Sequence, residues 1–296
     1  MAITNPAPKA REITTEPRTS DKVFRKIVSV IALSAFAILA LIGTFLAIRG
    51  FETFKSQGWH FITGYEWEVI QDDAGNITAK FGIGAMLVGT ILIAMVALAV
   101  GVPLSILTAL FLNFYAPDRI KKFLVAVVDL MAAFPSILFG LWGYFVLMPM
   151  AIYWAKLLHK YLGWIPIFNV QEAFYERSPF IAGLVLAIMI IPIVTSVARE
   201  IFSQTPLDRI QAAYALGATR WSMIKSVALP FGSSGIVGGA MLGLGRAMGE
   251  TVAVFTVLNI LYQANFKILL GAGGNLASHI ILKFGEASEE EIKALM

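Results

Sequence analysis

The chain has 296 residues, of which 58% are hydrophobic and only 14% are charged, and it contains no cysteine. A composition this apolar is typical of a membrane protein and not of a soluble globular domain, and the lack of cysteine excludes disulfides and thiolate metal sites. The formal net charge is +4, and the distribution of charge along the chain tells more than its total.

The N-terminal part of the chain is polar and is followed by a first apolar segment. Residues 1–22 are rich in Pro, Thr and charge and have no apolar period, which predicts a disordered tail. Residues 27–48 carry no charge and are long enough to cross a bilayer. No signal-peptide cleavage pattern precedes them, so we expect this span to be retained. Residues 23–80 are therefore assigned to a first transmembrane helix and an outer loop.

Four more apolar segments are long enough to span a membrane. They cover residues 81–117, 123–155, 180–198 and 226–259. Pro103 is expected to kink the first of them, and residues 134–136 to break the second. Residues 156–178, with Arg177, are predicted to form an outer cap. Residues 268–284 are predicted to be re-entrant or interfacial, and the acidic stretch 285–293 to be helical.

Charge asymmetry orients the predicted spans. The N-terminal tail and the loops 118–122 and 199–225 fall on one side, with 13 basic and 6 acidic residues. The loops 49–80, 156–177 and 259–296 fall on the other side, with 9 basic and 11 acidic residues. Cytoplasmic loops carry an excess of Lys and Arg. The N-terminus and the loop 199–225 are therefore predicted to be cytoplasmic.

Arg246 and Glu250 are the ionisable residues of the fifth segment. Arg246 lies 16 residues after Pro230, or about 24 Å along a helix, and burying it in lipid is costly. Glu250 is four residues further on, which on a continuous helix is the same face. The two either form a structural ion pair, or Arg246 presents its donors to an oxyanion while Glu250 holds it in place. Ser233, Ser234 and Thr251 are candidate further donors.

The same segment is rich in glycine. Residues 239–243 and 245–249 both have the G-x-x-x-G spacing, which allows close approach of helices in lipid. We interpret most of these glycines as packing positions.

Asp129 is predicted to be a buried charge of the third segment, six residues before Pro135. It is either a carboxylate bonded to a neighbouring span or, with Pro135, part of a gate. The three histidines have no metal-ligand spacing, and no phosphate-binding Walker loop or nucleophile motif is present. No metal site is predicted, and the chain is not expected to hydrolyse ATP.

The loop between the fourth and fifth spans resembles the coupling motif of ABC importer permeases, Glu-Ala-Ala, three residues, Gly, nine residues, Ile-x-Leu-Pro. The matching positions are Ala212, Ala213, Gly217, Leu229 and Pro230. Gln211 stands in place of the Glu and Val227 in place of the Ile. The resemblance implies that this segment, as a coupling helix over about 205–225, docks in a cytosolic ATPase.

The stretch from Gly243 to Thr251, Gly-Leu-Gly-Arg-Ala-Met-Gly-Glu-Thr, resembles the fifth-span signature of oxyanion permeases, and its longer form is closest to the phosphate permeases. Together with Phe-Pro-Ser-Ile-Leu-Phe-Gly at 134–140, it resembles the PstC-type subunit of the phosphate ABC importer. The resemblance implies an all-α, polytopic membrane protein with the type I importer permease (MetI-like) fold. Residues 81–296 would form its permease core, with the last span of the family absent.

The resemblance also implies the partners and the location. A second homologous permease subunit, two copies of a cytosolic ATPase that binds ATP and Mg²⁺, and an extracytoplasmic phosphate-binding protein would complete the importer. The chain itself would bind no cofactor, and no nucleic-acid partner is expected. It would lie in the bacterial cytoplasmic (inner) membrane as a multi-pass subunit.

Three alternatives remain open from the sequence. The substrate could be another oxyanion, namely sulfate, molybdate or tungstate, because a guanidinium hardly separates them. An intramembrane enzyme such as a lipid-modifying transferase would need polar groups converging from several spans. A structural scaffold would leave the cost of Arg246 in a span unexplained.

Overall fold

The computed structural model describes residues 18–71, 77–171 and 174–296. The described residues divide into two compact units, one that ends at residue 52 and includes Met296, and one that begins at residue 53 and ends at residue 295.

The first helix, α1, extends over Thr19–Gln57 and contains the predicted span 27–48. It is longer than predicted at both ends. The predicted disordered tail 1–22 is therefore wrong for residues 19–22, which are helical, whereas residues 1–17 lie outside the described residues. At its other end, α1 continues into residues 49–57, which had been assigned to the outer loop.

The rest of the chain is mostly helical. Its helices are α2 (His60–Thr63), α3 (Gly84–Leu110), α4 (Asp118–Ala132), α5 (Ser136–Trp142), α6 (Met148–Leu162), α7 (Pro179–Ser203), α8 (Leu207–Ala215), α9 (Arg220–Met223), α10 (Leu229–Gly249), α11 (Val252–Val257), α12 (Leu276–Phe284) and α13 (Glu289–Leu295). Turns of π-helix extend α3 over Phe111–Tyr115, join α5 to α6 over Gly143–Leu147, and join α9 to α10 over Ile224–Ala228.

Five helical stretches are long and apolar enough to cross a membrane. They are Thr19–Gln57, Gly84–Tyr115, Ser136–Leu162, Pro179–Ser203 and Arg220–Gly249. The all-α, polytopic prediction is confirmed. The bounds of the third and fifth spans differ from those predicted. The third begins only at Ser136, because α4 is a separate helix of 15 residues. The fifth ends at Gly249, ten residues earlier than predicted.

The helices α3, α7 and α10 pack against one another through glycines. A Cβ on Gly183 of α7 would lie 2.5 Å from the Cβ of Val96 on α3, and one on Gly243 of α10 would lie 2.9 Å from Val194 on α7. Gly239 is similarly close to Val197, at 3.3 Å, whereas Gly245 and Gly249 have open space beside them. The first G-x-x-x-G pair is therefore a packing contact, as small residues in spans commonly are.

A β-hairpin interrupts the helical chain at a place where only a loop was predicted. Strands β1 (Trp67–Gln71) and β2 (Ile77–Phe81) are antiparallel, with Trp67 opposite Phe81. These two aromatic side chains are buried with Ala294 and Leu295 of α13, so the predicted helix in the acidic stretch forms and covers the hairpin. α12 has nine residues, too few to cross a bilayer, and the interfacial or re-entrant position of residues 268–284 stays a prediction.

Candidate substrate pathway and coupling site

The end of α10 separates Arg246 from Glu250. Arg246 lies in the last turn of the helix, which ends at Gly249, and Glu250 has an extended backbone with φ −75° and ψ 125°. The prediction that the two residues share one face of a continuous helix is wrong. They form no ion pair among the described residues.

Arg246 lies at the edge of the buried stripe of α10. Leu242, one turn before it, is 59% exposed, whereas Gly243, also within one turn of Arg246, and Ala247 are buried and pack toward α7 and the main core. Arg246 itself is exposed, and within the described part of the chain its guanidinium has no hydrogen-bond or ion-pair partner. The guanidinium is therefore available to a ligand or to another subunit.

Glu250 is buried, with 7% of its surface exposed, and its carboxylate begins the next helix. Its Oε1 accepts a hydrogen bond from the backbone N–H of Ala253 in α11, at 3.3 Å. Its carbonyl oxygen accepts one from Asn275 Nδ2 at 3.0 Å. The carbonyl of the next residue, Thr251, accepts one from Ser278 Oγ at 2.8 Å. Glu250 and Thr251 thus join α11 to the start of α12.

Ser233 and Ser234 lie far from Arg246. They are exposed residues of the first turns of α10, and Ser233 Oγ donates to the carbonyl of Pro230 at 2.9 Å. Ser234 is twelve positions before Arg246 on the helix, which is about 18 Å along the axis. The structure does not bring these hydroxyls to one anion with Arg246.

The predicted coupling helix of about 205–225 is two short helices joined by a tight turn. Between α8 and α9, Gly217 adopts φ +80°, a conformation that favours glycine. Its N–H donates to the carbonyl of Tyr214 at 2.9 Å, and the N–H of Ala218 donates to that of Ala213 at 3.1 Å. Thr219 then begins α9, its Oγ1 accepting from the N–H of Ser222 at 3.2 Å.

The two short helices and the start of α10 enclose a cavity of about 600 Å³. Its lining residues are Arg209, Ala212, Ala213, Leu216, Ala218, Ser226, Val227, Pro230 and Phe231. Three predicted coupling residues, Ala212, Ala213 and Pro230, are among them, while Gln211 and Gly217 are exposed beside it and Leu229 is partly buried. Leu216 is 89% exposed, so its apolar side chain is available to a partner at this surface.

Asp129 lies on α4, so its predicted position within a span is wrong. The predicted burial is wrong too, because 52% of its side chain is exposed. Its Oδ1 accepts a hydrogen bond from Ser196 Oγ at 3.2 Å and lies 3.7 Å from Arg199 Nη2, both on α7. This is the contact with a neighbouring span that one of the two interpretations describes. Pro135 lies beyond the end of α4 and precedes the first residue of α5.

Sequence reasoning missed Arg177, which it treated as an ordinary outer-loop charge. Arg177 hydrogen-bonds to Asn259 and contacts Tyr144 beside a second cavity. A local signal was available, because an Arg followed by Ser-Pro stands directly at the start of a span.

No metal site is found among the described residues, because no three His, Asp or Glu side chains are grouped to hold an ion.

The chain matches a known family of transport proteins over most of its membrane core. The family model described as "Binding-protein-dependent transport system inner membrane component" matches residues 101–271.

Individual relatives are similar over nearly the whole chain. The chain is 40% identical over 275 residues to the phosphate transport system permease protein PstC 2 of Mycobacterium tuberculosis, covering 92% of the chain and 83% of the relative. It is 42% identical over 248 residues to the PstC of Mycobacterium leprae, covering 83% and 76%. It is 35% identical over 277 residues to the PstC of Pasteurella multocida, covering 93% and 84%.

Proposed function

Because the chain belongs to the family of binding-protein-dependent transport system inner membrane components, and within it to the PstC phosphate permeases, we propose that it is a transmembrane subunit of an ATP-driven importer of inorganic phosphate. It is a multi-pass inner membrane protein and a transport subunit. Sulfate, molybdate and tungstate are not favoured as substrates, since these relatives are named for phosphate.

The observation that carries this proposal is the unpaired Arg246 on a spanning helix. A charged side chain in the membrane usually faces a bundle interior or a water-filled cavity, because exposure to lipid is costly. Arg246 is exposed at the edge of the buried stripe of α10. A second, homologous permease packed on this face of α10 would enclose it, and the guanidinium would then face a passage between the two subunits.

The guanidinium suits a transient phosphate site. Its planar fork of N–H donors matches the oxygens of a tetrahedral oxyanion. A conducting site must also release its ion, and a single exposed Arg without further built-in donors binds weakly. In this mechanism Glu250 shapes the passage by ending α10 and starting α11, and it does not neutralise Arg246.

The cavity between α8, α9 and α10 is the proposed contact with the ATPase. We assign one of two cytosolic ATPase subunits to it, with Leu216 as the protruding apolar side chain. Movement of this segment on ATP binding would be passed to the fifth span directly, because Arg220–Gly249 is one continuous helical stretch. The charge distribution supports placing this segment and the N-terminus in the cytoplasm, with the phosphate-binding protein on the other side.

The test is ATP-driven uptake of radiolabelled phosphate by the complete importer in proteoliposomes. Arg246→Gln, which retains a polar side chain but removes the charge, is expected to reduce uptake by at least about tenfold, the loss typical for one charged contact of about 1.4 kcal/mol or more. Arg119→Gln removes a matched charge from an exposed position of α4, outside the cavity linings, and serves as a control for general charge effects.

Two results would contradict the proposal. One is unchanged uptake by a fully assembled Arg246→Gln complex, which would make the guanidinium dispensable. The other is uptake that sulfate suppresses as effectively as unlabelled phosphate, which would return the substrate to the wider oxyanion class.

A further inference from the structure

Arg177 is held by two other parts of the chain. Its Nη1 donates to Asn259 Oδ1 at 2.5 Å, after α11, and its Nη2 lies 3.4 Å from the hydroxyl of Tyr144, in the π-turn before α6. The guanidinium carbon lies 5.2 Å from the centroid of the Tyr144 ring, within the range of a cation–π contact. The backbone of Arg177 has φ 52°, a conformation that costs energy in a residue with a Cβ.

These three residues line one cavity of about 530 Å³. The other lining residues are Leu141, Phe145, Phe255, Thr256, Leu258, Ile260 and Leu282. All of them are uncharged, so Arg177 is the charged group of the described lining and no carboxylate there offsets it. A cavity with one cation and apolar walls focuses positive potential.

The polar side chains of the cavity have N–H and O–H groups that no hydrogen bond described here uses. A guanidinium has five N–H groups, and two of them are used by Asn259 and Tyr144. Since a guanidinium only donates, the amide oxygen of Asn259 faces it, and the two N–H groups of that amide are left over. The hydroxyl of Tyr144 accepts from Arg177 and keeps its own proton to donate. A ligand that fits this set must be negatively charged and rich in acceptors.

We propose that Arg177, Asn259 and Tyr144 form a second oxyanion site, distinct from Arg246, which receives a tetrahedral phosphate at the outer mouth of the passage. The position at the mouth rests on the proposed function and on the predicted orientation, in which the start of α7 lies outside. Phosphate released by the binding protein would meet Arg177 before it reaches Arg246.

The absence of cysteine in the chain allows a direct test of occupancy. Thr256→Cys places a thiol in the wall of the cavity, and its reaction with a charged methanethiosulfonate reagent is followed on this chain after separation of the subunits of the complete importer. Inorganic phosphate is expected to slow the reaction, relative to chloride at equal ionic strength. A single site predicts slowing of about tenfold at a phosphate concentration ten times its apparent Kd.

Two variants separate a binding site from a structural contact. Arg177→Gln in the Thr256→Cys background is expected to abolish the protection by phosphate. Asn259→Asp keeps and strengthens the bond to Arg177, because its acceptor becomes charged, but it introduces a carboxylate into the cavity and is also expected to abolish protection. If Arg177 only joins the three segments, phosphate protects the thiol equally in the Asn259→Asp variant and in Thr256→Cys alone, and the proposal is wrong. Lys156→Gln, which removes an exposed charge of α6, is the control and should leave protection unchanged.

The source of the phosphate group is tested in nanodiscs. The reaction is compared in phosphatidylcholine alone and with phosphatidylglycerol added. Slowing by the anionic lipid without slowing by inorganic phosphate would assign the cavity to a lipid headgroup and overturn the proposal. Protection by sulfate but not by phosphate would leave the oxyanion site standing and contradict the phosphate assignment of the importer. Lack of protection by either anion would overturn the site while leaving Arg246-dependent uptake unaffected.

Discussion

Arg246 and Glu250 lie on opposite sides of a helix end, and the carboxylate of Glu250 is bonded to the backbone N–H of Ala253 instead of to the guanidinium. An ion pair four residues apart on one helix would have lowered the charge that an anion meets. Because the carboxylate of Glu250 accepts this backbone hydrogen bond, the positive charge of Arg246 stays unpaired.

This arrangement predicts that Glu250 acts mainly through α11. Glu250→Leu leaves the N–H of Ala253 without its buried acceptor and should lower the free energy of unfolding by about 1–2 kcal/mol. Glu250→Gln keeps an oxygen at that place and should lose less. Chemical denaturation of the purified protein measures both changes. Equal losses for Gln and Leu would show that the charge, and not the hydrogen bond, matters.

A double-mutant cycle tests the separation of the two residues. The free energy of unfolding is measured for Arg246→Gln, for Glu250→Gln and for the double variant. The coupling energy should be below about 0.5 kcal/mol, as expected for groups that do not interact. A coupling well above that value would mean that the ion pair forms in the membrane and would contradict the arrangement described above.

Gly217 is predicted to be required for the shape of the coupling segment. A Cβ there would meet no neighbour within 4 Å, but the φ of +80° is costly for any other residue, by about 1–2 kcal/mol. Gly217→Ala should therefore weaken retention of the ATPase in a pull-down, and Gly217→Asn should do so less, since Asn tolerates this conformation better. Gly285→Ala, which has open space and a negative φ of −74°, is the control. Normal retention with Gly217→Ala would contradict a role for the turn.

Gly89 is predicted to be the least replaceable glycine of α3. A Cβ on it would lie 1.9 Å from the carbonyl oxygen of Gly274, a backbone atom of the segment before α12. Because backbone cannot rotate away, Gly89→Ala should lower the apparent melting temperature strongly, with a loss at or above the usual range of about 1–3 kcal/mol for overpacking. Gly43→Ala in α1 has nothing within 4 Å and should be neutral or slightly stabilising. Similar melting temperatures for both variants would disprove the close contact.

His279 is predicted to make the packing of α12 and α13 sensitive to acid. Burial, helped by the charge of Lys283 and opposed by Glu291, lowers the pKa of His279 from 6.5 to about 4. Between these values the unfolded histidine binds a proton and the folded one does not, so stability is complete above about pH 6.5 and falls as the pH drops toward 4.

Hydrogen exchange of α12 and α13 at pH 7 and pH 5 measures this effect. Protection should be lower at pH 5, and His279→Phe, which keeps a ring against Trp67 at 4.5 Å, should reduce the difference. His60→Phe replaces an exposed histidine and should leave the difference unchanged. An equal pH dependence in both variants would assign the effect to other groups.

Much of the architecture follows from local sequence patterns. The five apolar segments were found because a bilayer requires about 20 consecutive apolar residues, and the break near Pro135 was found because proline interrupts a helix. The pattern of apolar residues failed to separate α4 from the spanning helical stretch that follows it, Ser136–Leu162. It counted α4 as membrane because its apolar residues continue those of the span, and it placed Asp129 inside for the same reason.

Composition along a stretch of chain was enough to find the apolar segments, the loops that carry the positive charge, and an Arg within one of those segments. The contacts of the polar side chains could be found only in the folded chain. Arg177 bonds to Asn259 across 82 positions, and Trp67 bonds to Glu291 across 224. Such contacts depend on how the helices pack, and a local pattern carries no information about a partner that distant in the chain.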